Sequence, residues 1–319
     1  MIIVAKDGSG DFTSLQAAVD AISTENSEQT EIRILPGEYR ERVVIGRDHL
    51  KIIGTDAEST VITWSACAKD QYPDGQEKGT FLSFTLLVAA DDVTIENLTI
   101  RNDAGDGRKV GQAVALYAAG DRGHFKNLRL IAHQDTLFCG PLLPKVVDEI
   151  APRRGTSPVV DSVGDCPLVQ GRQLYENCYI EGDVDFIFGP YRCWFEACHL
   201  FMGQRGGWYT AANTPEASPW GMVFHHCSLS GACEEGKGYL GRPWRAFART
   251  LFLDCEMDEH VAPEGFADWD EERVITKRCG EWHTRGARSD QRTRHPSQKR
   301  LTDEEAALCT REAVIGSWK

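Results

Sequence analysis

One short sequence phrase recurs six times in the middle of the chain, and this repetition limits the possible folds more than any other feature. The copies, in chain order, are VTIENLTIRN at 93–102, GHFKNLRLIA at 123–132, QLYENCYIEG at 173–182, CWFEACHLFM at 193–202, MVFHHCSLSG at 222–231 and TLFLDCEMDE at 250–259. Apolar residues alternate within each copy, which is typical of a β-strand with one buried face. We therefore interpret each copy as one strand of a repeating structure.

Each copy places a small or apolar residue at the same point of the phrase. These residues are Leu98, Leu128, Cys178, Cys198, Cys227 and Cys255. Their spacings of 30, 50, 20, 29 and 28 residues are irregular for identical units but natural for a coil with loops of different length. Such strands bury their inner faces only when successive turns stack. The sequence therefore predicts an all-β fold, a parallel β-helix in a single domain over 1–319, with four of the eleven cysteines in one inward-facing ladder.

Both ends of the chain fit this interpretation. Thr13 and Ser14 can cap a short helix that covers the open end of the stack, and residues 32–45 have the pattern strand, Pro-Gly turn, strand. Residues 301–315 are predicted to be a helix on the outside, and Thr302 is its N-cap. The arginine-rich residues before it are predicted to be a solvated connector, so that 285–319 is connector plus helix.

Composition excludes several classes of protein. The chain has 48 acidic against 35 basic residues, a net charge of -13 that argues against nucleic-acid binding. It has no run of 18 apolar residues for a membrane span and no basic-then-apolar leader at its N-terminus. Eleven cysteines, an odd number with no C-x-x-C pair, favour free thiols over a zinc site. We expect a cytoplasmic monomer that binds no nucleic acid, membrane, metal or cofactor.

Two acidic motifs flank the longest gap in the repeat. Asp135 lies in HQDTLF at 133–138 and Asp185 in GDVDFIFG at 182–189, each among apolar residues where an unpaired carboxylate is costly. A purely structural alternative is that Asp185 pairs with an arginine and that Asp135 forms a turn. The gap itself, residues 141–171, holds five of the thirteen prolines and is interpreted as an inserted loop that is either functional or disordered.

Further polar groups accompany the two aspartates. Gln112 lies in GQAVAL, Gln134 is next to Asp135, and Arg242 and Trp244 lie in YLGRPW. Glutamine and arginine side chains can stabilise an oxyanion or hold a carboxylate ionised, and tryptophan offers a flat face to a sugar ring. The set suits ester or glycoside chemistry on a carbohydrate.

The segments GQAVAL, QDTLF, GDVDFIFG and YLGRPW, in this order, closely resemble the signature segments of the pectin methylesterases. The resemblance includes VAKDGSGDFTSLQAAVDAI and LPGEYRERVVI near the N-terminus and extends to about residue 260, with a weaker likeness at LTDEEA. It implies a right-handed, single-stranded parallel β-helix of the pectin-lyase-like type with short N-terminal and C-terminal helices. It also implies hydrolysis of C6 methyl esters of galacturonate units, in homogalacturonan or oligogalacturonides, to carboxylate and methanol.

The same resemblance implies a role for each catalytic candidate. Asp185 would be the nucleophile that forms an acyl-enzyme, and Asp135 the general acid and then the general base. Gln112 and Gln134 would donate hydrogen bonds to the oxyanion. Arg242 would pair with Asp185, depress its pKa and keep it ionised. No metal and no organic cofactor are required.

Substrate contacts are expected from Trp244, Phe186 and Phe138. In typical family members a short turn follows the QDTL segment, whereas here residues 141–171 intervene. We expect this insertion to narrow or close the cleft at one end and to favour short oligogalacturonides. A cytoplasmic enzyme that acts on imported fragments would fit this preference.

Four other functions remain open. A β-helical polygalacturonase would need carboxylates around a glycosidic oxygen, and a pectate lyase would need clustered acids for calcium. A thioesterase-like relative could retain the carboxylates and act on another substrate. A non-catalytic carbohydrate-binding β-helix would need no acidic pair beside glutamine and arginine.

Overall fold

The chain folds into many short strands and a few short helices. The computed structural model describes residues 1–163 and 171–318. The strands, in chain order, are β1 Ile2–Val4, β2 Thr30–Ile34, β3 Gly37–Arg40, β4 Val43–Ile45, β5 Leu50–Gly54, β6 Thr60–Trp64, β7 Leu86–Val88, β8 Thr94–Glu96, β9 Thr99–Asn102, β10 Leu116–Ala118, β11 Gly123–Lys126, β12 Arg129–Ile131, β13 Leu137–Cys139, β14 Arg172–Glu176, β15 Tyr179–Gly182, β16 Ile187–Gly189, β17 Arg192–Glu196, β18 His199–Met202, β19 Gly207–Trp208, β20 Thr210–Ala212, β21 Met222–His225, β22 Ser228–Gly231, β23 Gly238–Tyr239, β24 Arg242–Pro243, β25 Thr250–Leu253, β26 Glu256–Met257, β27 Gly280–Trp282 and β28 Lys299–Arg300. The helices are α1 Leu15–Asp20, α2 Gly107–Val110, α3 Pro144–Ile150, α4 Asp303–Leu308 and α5 Arg311–Ile315, with 3₁₀ turns at Thr80–Leu82 and Gln291–Thr293.

Three long parallel sheets run the length of the molecule. Sheet A has the order β1-β2-β5-β8-β11-β14-β17-β21-β25-β27-β28, sheet B the order β26-β22-β18-β15-β12-β9-β6-β3, and sheet C the order β24-β20-β16-β13-β10-β7-β4. The chain visits the sheets in turn, so that β8, β9 and β10 make one coil and β11, β12 and β13 pair with them in the next. This is the predicted parallel β-helix.

The predicted inward ladder is confirmed. Leu98, Leu128, Cys178, Cys198, Cys227 and Cys255 are each at most 1% exposed. A stack of aromatic rings lies beside them in register on sheet A, with successive ring centroids 4.4–4.8 Å apart, and it consists of Phe125, Tyr175, Phe195, Phe224 and Phe252. That separation matches the spacing of neighbouring strands, so each ring packs directly on the next coil's ring.

Each repeated phrase forms two strands, whereas we predicted one. The residue before each ladder position has a left-handed backbone, with φ between 50° and 59° at Asn97, Asn127, Asn177, Ala197, His226 and Asp254. Asparagine, aspartate and histidine tolerate this conformation better than most residues. The chain turns there from sheet A to sheet B, which is why the apolar alternation slips in the middle of the phrase.

The predicted helices at the two ends are present, with one correction. Ser14 caps α1, and Thr302 caps α4 in a capping box with Glu305. Residues 301–315 form two helices where one was predicted, because α4 ends at Leu308 and Thr310 caps the next helix, α5. Cys309 and neighbouring apolar residues of α5 pack on the outer face of sheet A.

The prediction that the arginine-rich connector is solvated is only partly correct, because one of its arginines is buried. The Arg294 side chain is 3% exposed, and its Nε lies 2.7 Å from Glu281 Oε1, an acid that is fully buried. Arg292, two residues earlier, does project into solvent. A buried ion pair therefore joins the connector to β27. Separately, no helix in 1–163 or 171–318 is long and apolar enough to cross a membrane.

Candidate active site

The two aspartates of the acidic motifs lie in one cleft on the outer side of sheet C. Asp135 lies two residues before the start of β13, and Asp185 lies two residues before the start of β16, the neighbouring strand. Both have left-handed backbones, with φ of 66° and 53°. These corners turn the side chains toward one cleft of about 240 Å³ and leave them only 7% and 6% exposed. Aspartate tolerates this left-handed conformation better than most residues.

Arg242 holds one of the two carboxylates. Its Nε donates to Asp185 Oδ1 at 2.8 Å and its Nη2 donates to Asp185 Oδ2 at 2.6 Å. The guanidinium is itself fixed between two indole rings, with Cζ 3.7 Å from the Trp208 ring centroid and 3.8 Å from that of Trp269. A bidentate, stacked arginine orients a carboxylate more strictly than a lysine can. Asp185 thus pairs with an arginine, as the purely structural alternative proposed, but this ion pair lines an open cleft.

The two carboxyls have different proton affinities. Burial raises the pKa of Asp135 well above its usual range and the negative charge of Asp185 raises it further, while Arg242 opposes both. Burial also raises the pKa of Asp185, but there the hydrogen bonds and charge of Arg242 counteract it directly. The predicted depression of the Asp185 pKa is therefore wrong. Arg242 counteracts only part of the rise that burial causes, so the pKa of Asp185 stays above its usual value. Asp185 is still the first of the two to ionise, which leaves Asp135 protonated beside it.

Both predicted glutamines line the same cleft. Gln112 lies before β10, and Gln134 adjoins Asp135 and lowers the pKa of that carboxyl through a side-chain contact. Gly107 makes room for Gln134, because a Cβ on Gly107 would lie 2.8 Å from Gln134 Cβ. Two amide side chains therefore stand beside the acidic pair, where they can donate hydrogen bonds to a bound carbonyl oxygen.

The structure corrects two of the three predicted substrate contacts. Phe186 is fully buried inside the coil, 5.1 Å from the ring of Tyr209. Phe138 faces outward from sheet C but is fully buried under Phe81, with ring centroids 4.9 Å apart. Neither can touch a ligand. Trp244 does line the cleft, as predicted.

Five cleft residues were missed by the sequence reasoning: Thr80, Phe81, Phe188, Ala211 and Trp269. For Phe188 a signal existed, because β-strand alternation places it on the face opposite to Ile187, and Phe188 packs 5.9 Å from the Trp244 ring. Phe81 lies in the 3₁₀ turn Thr80–Leu82 and Trp269 in a loop, both outside the repeated phrases, so no periodicity in the sequence places them at the cleft.

The insertion lies along the same face of sheet C. The outward-facing residues of this sheet are in register from coil to coil, in the order Val44, Leu87, Tyr117, Phe138, Phe188, Ala211 and Arg242. Leu142, Val146 and Ile150 join the first members of this row in one buried cluster. The Tyr117 hydroxyl donates to the Pro141 carbonyl at 2.6 Å. The insertion thus covers the end of the face near β4, β7 and β10, while the part with Arg242 stays open.

The far part of the insertion borders the edge of the face. Asn213, which follows β20, donates its side-chain amide to the Val163 carbonyl. Glu149 pairs with Arg42 at 3.4 Å, and Arg153 pairs with Asp20 at 2.9 Å. Residues 164–170 of the predicted loop 141–171 lie outside the described residues. The described part is docked on the sheet by apolar and ionic contacts.

Metal-ligand spacing occurs elsewhere in the molecule. In the described part of the chain, the group of histidine and acidic side chains close enough to share an ion is Glu196, His225 and His226. These residues lie on sheet A and at its corner, and the cleft is on sheet C. The cleft itself offers carboxylates, amides, a guanidinium and aromatic rings.

Comparison with known proteins gives a consistent result. The family model described as Pectinesterase matches residues 1–141 and 167–317, which leaves 142–166 unmatched. Pectinesterase QRT1 of Arabidopsis thaliana is 32% identical over 99% of this chain and 77% of that protein. A crystal structure of pectin methylesterase in complex with a hexasaccharide is 27% identical, with a TM-score of 0.79 over 100% of this chain and 97% of the other. Pectin methylesterase from carrot is 26% identical, with a TM-score of 0.79 over 99% and 93%.

Proposed function

We propose a role for each cleft residue in ester hydrolysis by this chain, which belongs to the pectinesterase family. The chain is a carboxylic ester hydrolase that acts on the methyl esters of pectin. Its substrate is a methylated galacturonan. The proposal concerns the roles of the cleft residues and the length of the substrate.

In the first step an Asp185 carboxylate oxygen attacks the C6 carbonyl of a methylated galacturonate unit. The negative charge moves to the carbonyl oxygen, where the amides of Gln112 and Gln134 donate hydrogen bonds. The bond to the methoxy group breaks, and Asp135 transfers its proton to that group. Methanol leaves and an acyl-enzyme on Asp185 remains.

In the second step Asp135, now a carboxylate, takes a proton from a water molecule. The water attacks the acyl carbon, and the bond to Asp185 breaks. The product forms as the galacturonic acid and releases its proton to solvent to give the carboxylate, while both aspartates return to their starting protonation states. Each step uses the same two side chains in opposite roles.

One observation carries this proposal: of two buried carboxyls in one cleft, Asp185 alone has a bidentate guanidinium. Arg242 favours the charged form of Asp185, as a nucleophile requires. Burial and the neighbouring charge favour the neutral form of Asp135, as a general acid requires. A structural ion pair alone would not need the second, protonated carboxyl.

The roles are tested by methanol release from a methylated polymer, with Asp185→Asn and Asp135→Asn variants beside the parent. We expect both variants to lose at least about a thousandfold in kcat, the range seen when members of a catalytic unit are removed. Arg292→Gln, which removes an exposed arginine, is the matched control and should keep full activity. Either aspartate variant with more than a tenth of the parent activity would contradict its role.

We propose further that the substrate is a short oligogalacturonide. The support is the insertion, which occupies one end of the sheet C face and leaves the end with Arg242 open. A long polymer chain that follows the coils would meet α3 and the residues after it. A short fragment needs only the open part.

The test compares kcat/KM on a methylated trimer and on a methylated polymer. Replacing residues 142–166 by a short glycine-serine turn should raise the polymer-to-trimer ratio. Because this deletion removes buried contacts, the double variant Glu149→Gln/Arg153→Gln loosens only the surface pairs and should move the ratio in the same direction by less. A parent that prefers the polymer, or a ratio unchanged in both variants, would overturn the proposal.

We also propose that the protein is a cytoplasmic monomer. Eleven cysteines, four of them serving as small ladder residues, support a reducing compartment. Cell fractionation tests the location, and light scattering tests the oligomeric state. Recovery of the active protein outside the cell, or a stable dimer, would contradict the respective part.

A further inference from the structure

Two consecutive histidines and a glutamate converge on the outside of sheet A, away from the cleft. Glu196 ends β17 and is the register partner of His225, which ends β21 on the next coil. Neighbouring residues of a strand normally point to opposite faces. His226 is the left-handed corner residue, with φ of 53°, so its ring turns to the same side as that of His225, with ring centroids 3.8 Å apart.

Both imidazoles contact the Glu196 carboxylate through their Nδ1 atoms. His225 Nδ1 lies 2.9 Å from Glu196 Oε2, and His226 Nδ1 lies 3.2 Å from Glu196 Oε1. The three ligand atoms all lie within 4.8 Å of one another. In a tetrahedral site with bonds of about 2.1 Å, neighbouring ligand atoms are about 3.4 Å apart. One ion can therefore reach all three atoms after small side-chain adjustments.

We propose that Glu196, His225 and His226 form a surface site for a divalent transition metal ion such as Zn²⁺. Two imidazoles and one carboxylate select such an ion over Ca²⁺ and Mg²⁺, which prefer oxygen ligands. The side chains are 29%, 26% and 53% exposed, so water completes the coordination. The site joins two coils of the β-helix through side chains.

The groups around this triad support the ligands. The Trp194 indole donates to Glu196 Oε2 at 2.8 Å, which orients the carboxylate. Asp254 Oδ2 lies 3.9 Å from His225 Nε2, so a small side-chain movement would let it accept a hydrogen bond from that N–H when Nδ1 binds a metal.

The test uses Zn²⁺ alone, titrated by calorimetry into the full chain after treatment with a chelator. We expect one ion per chain in the micromolar range, with the affinity about tenfold or more lower in Glu196→Gln and in His226→Gln. His124→Gln is the matched control, because His124 forms a pair with Glu176 on the same sheet at 2.6 Å without a second histidine. That variant should bind as the parent does.

Co²⁺ absorption distinguishes this site from cysteine ligation. The triad predicts weak visible bands without the intense near-ultraviolet band of a thiolate ligand, and their loss in His226→Gln. Esterase activity and thermal unfolding confirm that each variant is folded. Absence of binding by the parent, a thiolate band, or equal binding by His226→Gln and the parent would overturn the proposal.

Discussion

Replacing Arg242 by glutamine removes the partner of a buried carboxylate and leaves the cleft otherwise intact. Breaking a buried ion pair costs about 3–5 kcal/mol because one charge is left uncompensated. The two side chains here are 17% and 8% exposed and border a cleft, so the lower end, about 3 kcal/mol, is appropriate. Asp185 avoids this cost by binding a proton, and a protonated carboxyl is no nucleophile.

The consequence is a change in the pH dependence of activity. Loss of Arg242 raises the pKa of Asp185, so the ionised nucleophile forms only at higher pH. Arg242 also lowers the pKa of Asp135, so its loss keeps the general acid protonated to higher pH. Both limbs of the profile should move upward. At pH values on the acidic limb, about 3 kcal/mol corresponds to a fall of about a hundredfold in kcat/KM.

The assay is methanol release as a function of pH for the parent, Arg242→Gln and Arg242→Lys. We expect partial recovery of Arg242→Gln at alkaline pH, and an intermediate profile for the lysine variant, which keeps the charge but not the bidentate geometry. A fall that is equal at every pH would refute the reasoning, since it would mean that Arg242 acts by binding substrate.

Three further predictions follow from the geometry. Gln112→Ala should lower kcat about a hundredfold with little change in KM, because the amide contacts the oxyanion only in the transition state, and an equal loss in KM would contradict this. Because the protonated form of Asp135 is the active one, kcat/KM should fall as pH rises through its raised pKa; Asp135→Asn should abolish that alkaline limb, and a limb that persists would assign it to another group. Glu281→Gln should lower the free energy of unfolding by about 3–5 kcal/mol in urea titration, because it leaves the buried Arg294 without its charge partner, whereas Glu31→Gln, at a partly exposed surface pair, should change it by less than about 1 kcal/mol.

Periodic features of the sequence predicted the fold well. The Cys178, Cys198 and Cys227 positions mark the inner face of successive coils, and stacking is the physical solution for such strands. The corners at Asn97 and Asn127 were missed, since a left-handed residue leaves no periodic signal and appears only as a slip in the alternation.

The site was predictable only where its residues adjoin strands. Asp135 and Asp185 precede equivalent strands, so the coil brings them together, and the repeat indicated this. Trp269 and Trp208 hold Arg242 through contacts between residues that are far apart in the sequence, which no local pattern encodes. Phe186 was assigned to the substrate because it follows Asp185, but the corner directs its ring into the core.

The central claim, that Asp185 becomes acylated and Asp135 serves both steps, is tested most directly by intact-mass spectrometry of Asp135→Asn with an aryl ester of a galacturonide. An aryl leaving group needs no proton from Asp135, so acylation should proceed while deacylation stalls. We predict a burst of one aryl alcohol per chain and a mass increase of one galacturonoyl group, which peptide mapping places on Asp185 and which is absent from Asp135→Asn/Asp185→Asn. Steady turnover without an adduct, or an adduct on another residue, would contradict the account.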